Sequence, residues 1–111
     1  MYTVLKIGES DVELLANAAT PYRVKQIFGL DIMRIFFNAD KDGGIDTANL
    51  IPQLAYVMNA QALKQDMTKL NEDTFYVWCE QFSAFDLISN SDKIIDVYLG
   101  NQQSDSESKK K

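Results

Sequence analysis

Residues 2–16, YTVLKIGESDVELLA, decide the class of fold. YTVLKI and VELLA are short runs rich in β-branched and apolar residues, and GESD between them is turn chemistry of the kind that joins two strands. A β-hairpin over residues 2–17 is predicted. The segments that follow read as helices, so the expected fold is α+β and mostly α-helical. It comprises an N-terminal β-hairpin, four or five helices and a disordered C-terminal tail.

Working outward, Thr20 before Pro21 reads as a capping hydroxyl followed by proline at the first helical position, with Gly29 as the stop. A second helix begins at Asp31 and sets Ile32, Ile35 and Phe36 on one face, ending near Asn38. Leu50, Leu54, Val57 and Met58 fall at helical spacing in a third. Pro52 is tolerated only in the first turn of that helix, which places its start close to Asn49. Asn71 or Asp73 caps a fourth helix, in which Phe75, Trp78, Cys79 and Phe82 share a face. SAFDLISNS breaks the pattern. Ser89 with Asp92 then resembles a capping box for a last helix closing at Gly100. NQQSDSESKKK has no apolar residue and reads as a disordered polar tail, leaving residues 1–100 as one globular domain.

Composition narrows the chemistry. At 111 residues and 46% hydrophobic the chain can bury a core without staples. It holds one cysteine and no histidine, which removes disulfides within the chain, the commonest general base and the commonest transition-metal ligand. The net charge of −5, with lysine and arginine scattered, disfavours nucleic acid. No run reaches the roughly 20 apolar residues of a membrane span, and a cytosolic protein is expected. Glycine-rich phosphate loops and buried carboxylate pairs are not evident, Cys79 reads as a small core residue, and no catalytic group or cofactor is implied.

One stretch imitates a metal site. NADKDGGIDTANL, residues 38–50, matches a calcium loop at Asn38, Asp40, Asp42, Gly43 and Ile45, with Asp46 at the ninth position. The twelfth position is Asn49 where the motif needs a bidentate glutamate, and no second acidic loop pairs with it. A polar connection between helices is the preferred reading, and a calcium-responsive binding module is the alternative. For a partner surface, FSAFDLI places Phe82, Phe85, Leu87 and Ile88 at a helix break, more apolar surface than a short connection needs. Tyr98 on the last helix joins them as a candidate.

The second half, NEDTFYVWCEQFSAFDLISNSDKIIDVYLGNQQSDSESKKK, resembles the tail assembly chaperones of long-tailed phages and prophages of Gram-positive bacteria. Their C-terminal regions combine a Phe-Tyr-x-Trp-Leu-x-x-Phe helix, a Phe-Asp pair, a helix ending in Tyr-x-Gly and a polar tail closing in lysines. Phe75, Tyr76, Trp78 and Phe82 stand at those places, with Cys79 for the leucine, then Phe85 and Asp86, Tyr98 and Gly100, and Lys109 to Lys111. The resemblance covers residues 70–111 and extends more loosely to ATPYRVKQIFGLDIM. It implies a non-enzymatic assembly factor of the host bacterial cytoplasm, absent from the mature virion, that keeps the tape measure protein soluble. It also implies a longer frameshifted form that recruits the tail tube protein, and self-association into a homo-oligomer. Lys109, Lys110 and Lys111 then fit a slippery adenine-rich run, or equally a solubilising charged end. Calorimetric titration with calcium is expected to show no micromolar binding, and a micromolar isotherm would restore the calcium-module reading.

Overall fold

The computed structural model describes the backbone of residues 1–37 and 47–109, and side chains within 1–35 and 50–100. The α+β, mostly helical class holds. Strands β1 (Tyr2–Ile7) and β2 (Ser10–Leu15) pair antiparallel with Tyr2 opposite Leu15 and Ile7 opposite Ser10. Alternation sorts their faces, so that Ile7, Val12 and Leu14 point into the core while Tyr2, Val4 and Lys6 point out. Gly8 makes the tight turn with φ of +62°, a region where a side chain would meet the backbone.

Six α-helices follow among the described residues: α1 (Thr20–Phe28), α2 (Ile32–Phe37), α3 (Thr47–Ala62), α4 (Glu72–Cys79), α5 (Ala84–Ser89) and α6 (Ser91–Lys109). A 3-10 turn, Met67–Lys69, precedes α4. The helix α3 is the axis of the molecule. Every residue from Leu54 to Gln61 is buried, as are Leu50 and Ile51, which is the signature of a helix packed on all sides. It touches β2, α1, α4, α5 and α6.

Several boundaries depart from the sequence reading. Thr20 does not cap α1: Ala19 stands at the cap without a side-chain bond. The Thr20 hydroxyl is instead buried, accepting hydrogen bonds from Asn17 N–H at 3.0 Å and from the Gln61 amide at 2.9 Å. Pro52 lies inside α3 rather than at its opening, because the helix already starts at Thr47. A proline in a helix interior costs about 3 kcal/mol, and burial of Leu50, Ile51 and Leu54 on the same helix outweighs it. At its far end Lys64, with φ of 58°, lets Gln65 N–H reach back to the Ala60 carbonyl at 3.0 Å.

SAFDLISNS is not a break but holds the short helix α5, capped by the Ser83 hydroxyl accepting from Asp86 N–H at 3.0 Å. Ser89 is consequently no cap for the last helix, since its hydroxyl turns back to the Asp86 carbonyl at 3.3 Å. Nor does that helix close at Gly100. Its backbone passes through Gly100 to Lys109. Asn71 does cap α4 as expected, in a reciprocal box with Thr74 that has both bonds at 2.9 Å.

Gly8 and Gly29 both adopt positive φ, +62° and +75°, but differ in their surroundings. A Cβ on Gly8 would lie 2.6 Å from the Asp86 carboxylate oxygen of α5, whereas one on Gly29 meets nothing within 4 Å. Gly29→Ala is expected to cost about 1 kcal/mol of unfolding free energy, the penalty of the left-handed region alone. Gly8→Ala is expected to cost at least as much, since the Asp86 carboxylate must also swing aside. Urea denaturation of the two variants checks the order.

Candidate partner-binding site

The aromatic face of α4 builds one wall of the site. Phe75 lies edge-on to Phe28 at 5.2 Å between ring centroids and tilted against Tyr56 at 5.5 Å, while Trp78 meets Tyr56 at 5.4 Å and Phe82 at 5.0 Å. Such edge and tilted contacts suit the ring quadrupoles and add about 0.5–1.5 kcal/mol each beyond burial. Polar tips lock the cluster onto α3. The indole N–H of Trp78 donates to Asn59 Oδ1 at 3.0 Å, and the Tyr56 hydroxyl donates to Thr74 Oγ1 at 2.7 Å.

Beside this wall runs a groove of about 400 Å³ floored by α3 and bounded by α4 and α5. Pro52 and Gln53 come from α3, Phe75, Tyr76 and Cys79 from α4, and Phe82, Ala84, Leu87 and Ile88 from the segment that follows. Its volume lies in the range of ordinary binding clefts. Gln53 is the anomaly in its lining: the amide oxygen is buried and has no hydrogen-bond partner among the described residues. Buried acceptors are nearly always paired, so this one is available to a donor entering the groove.

The candidate residues divide sharply. Phe85 is 77% exposed and Ile88 53%, both on α5; Ile88 lines the groove, and Phe85 stands on the same short helix outside the lining. Phe82 is partly buried and supports Trp78 while lining the groove. Leu87, 6% exposed, packs in the core and reaches the groove only as part of its lining. Tyr98, 2% exposed, belongs to the core and does not line the groove. Once the segment coils into α5, Leu87 turns inward as Phe85 and Ile88 turn out. Tyr98 sits with Ile94 and Val97 on the buried stripe of α6. Missed by the sequence reading were Tyr76 and Val77, 57% and 65% exposed on the outer side of α4. Their signal was present, since they lie off the face shared by Phe75, Trp78 and Cys79.

The charges of α4 and its C-cap are exposed and acidic: Glu72, Asp73 and Glu80. The metal candidates Asn38, Asp40, Asp42 and Asp46 lie outside the described residues, as do Lys110 and Lys111. Lys109 is described only as the last residue of α6. Among the described residues no group of three or more acidic, cysteine or histidine side chains could hold a metal ion, and no helix is long and apolar enough to cross a membrane. Comparison with protein-family models, curated proteins and solved structures finds no match to the chain.

Cys79 lines the groove, and burial pushes its thiol above the ordinary range. Burial raises the Tyr98 phenol as well. In both, the neutral form is favoured by folding, so the contribution is complete below the unfolded pKa and is lost as pH climbs through the folded one. The urea midpoint is expected to hold up to about pH 8, below the ordinary thiol and phenol values, and to fall above it. Iodoacetamide at pH 8 should alkylate Cys79 more slowly in the native protein than in urea.

Proposed function

We propose that the chain is a non-enzymatic tail assembly chaperone that holds amphipathic helical segments of a phage tape measure protein. The observation that supports this most directly is the exposure of Phe85 and Ile88 on α5, the helix that bounds the groove: a phenylalanine at 77% exposure contributes little to its own fold. Large apolar side chains gathered at a concave surface mark a place where another apolar surface docks. Helix-in-groove recognition takes a helix with anchors three and four residues apart. Such a helix presents polar side chains at its rim, where one can donate to the orphaned Gln53 oxygen.

The exposed acids Glu72, Asp73 and Glu80 at the two ends of α4, the helix that walls the groove, favour a helix with basic flanks and discourage acidic ones. In this reading the protein acts in the host bacterial cytoplasm and is left out of the mature virion. The lysines at 109–111 fit a frameshift that yields a longer form recruiting the tail tube protein.

Co-expression with the tape measure protein of the genome that carries this gene tests the proposal. The tape measure protein is expected to remain soluble and to co-purify with the chain. A Phe85→Ser, Ile88→Ser double variant should lose the complex while its urea midpoint changes little, because substitutions at exposed positions usually shift stability by no more than about 0.5 kcal/mol each. A tape measure protein that is equally insoluble with and without the chain would overturn the assignment.

A further inference from the structure

The hairpin has two edges, and the fold treats them differently. In an antiparallel pair, residues that bond each other alternate with residues whose N–H and C=O point away from the partner strand. Ala16 N–H donates to the Met1 carbonyl at 2.8 Å and the Met1 ammonium donates back to the Ala16 carbonyl. The register therefore makes Thr3–Leu14, Leu5–Val12 and Ile7–Ser10 the bonded pairs. Outward-pointing groups fall to Asp11, Glu13 and Leu15 on β2 and to Tyr2, Val4 and Lys6 on β1.

On β2 two of the three outward carbonyls are covered. Asn59 Nδ2 donates to the Glu13 carbonyl at 2.8 Å and Gln61 Nε2 to the Leu15 carbonyl at 2.6 Å, so α3 occupies that edge. On β1, among the described residues, no hydrogen bond reaches the outward backbone groups of Tyr2, Val4 or Lys6. Tyr2 and Val4 are also 55% and 51% exposed. An apolar, open strand edge is a template for pairing.

We propose that β1 is a self-pairing edge: two copies of the chain join β1 to β1, antiparallel, about a two-fold axis through Val4. The result is a four-stranded sheet in the order β2, β1, β1, β2. Val4 lies opposite Val4 of the second copy and Tyr2 lies opposite Lys6, so each outward N–H and C=O of these residues meets one from the other chain. A second copy is the occupant because the strand is complementary to itself. An isologous contact requires that residue i meet j and j meet i, and here the one charged side chain on β1, Lys6, meets an aromatic ring and not another lysine. That ring is already anchored to an acid, the Tyr2 hydroxyl donating to Glu13 Oε1 at 2.7 Å. Lys6 itself leans on Asp11 at 3.7 Å. The pairing thus sets each ammonium between its own Asp11 and the Tyr2–Glu13 pair of the other copy, a favourable cross-strand arrangement. It stands independently of the chaperone reading.

Sedimentation equilibrium of the full chain, from micromolar towards millimolar concentration, is expected to show the mass rising from 12.6 kDa to twice that value. Val4→Pro removes the central donor at a position where proline spares the hairpin's own bonds. It is expected to hold the chain at monomer mass with an unchanged far-UV spectrum. A Val4→Cys, Cys79→Ser double variant should oxidise to a covalent dimer, because bonded residues directly opposed lie about 5.5 Å apart at Cα, within disulfide reach. This variant tests the pairing even if Val4→Pro fails to fold. A wild-type chain that stays monomeric, a dimer that survives a folded Val4→Pro, or an absent cross-link would each overturn the proposal.

Discussion

Two side-chain amides on one helix join the halves of this protein. Asn59 and Gln61 of α3 reach across 46 positions of sequence to the outward carbonyls of Glu13 and Leu15, and so turn the far edge of a hairpin into a covered one. A two-stranded hairpin is marginal alone in water. Here it becomes one flank of a helix buried on every side. Gln61 also donates to Thr20 and accepts from Arg23 at 3.0 Å, and Asn59 accepts from Trp78, so the same two residues orient α1 and α4. A satisfied buried network of this kind fixes one packing, because each missing partner would leave a costly orphan.

The groove depends on that arrangement. With α4 fixed to α3 through Trp78 and Tyr56, its next residues emerge beside Pro52 and Gln53, and the short α5 closes the third side. The carboxylate of α5, Asp86, abuts the hairpin turn at Gly8, so the sheet braces the helix that displays Phe85 and Ile88. Binding surface and hairpin are therefore parts of one frame.

Much of this frame was legible in the chain, and the failures have physical causes. The hairpin was evident because strand periodicity and a Gly turn coincide, and α4 because its cap and apolar spacing agree. Thr20 misled because Thr-Pro is a genuine helix-opening signal, while its hydroxyl was claimed by a glutamine that no local pattern could place nearby. Pro52 misled because propensity is a local quantity and the burial of α3 is not. In the site, the exposed apolar side chains of Phe85 and Ile88 were anticipated from composition alone. Tyr98 proved to be a core residue, and Leu87 a core residue that only lines the groove, because a run of apolar residues shows only that some surface must face a core, and coiling into α5 and α6 decides which. The orphaned oxygen of Gln53 left no trace in sequence, since orphanhood belongs to the neighbours.

The Trp78 arrangement has a spectroscopic side. The chain has a single tryptophan, and its indole is tied by hydrogen bond to α3 and flanked by Tyr56, Phe75 and Phe82, the last two also lining the groove. Its emission is therefore an unlabelled optical readout of the seam between α3 and α4, fed by tyrosine donors in the same cluster. Any event that pries α4 from the central helix or fills the adjoining cleft changes the polarity around one fluorophore, with no second indole to obscure it.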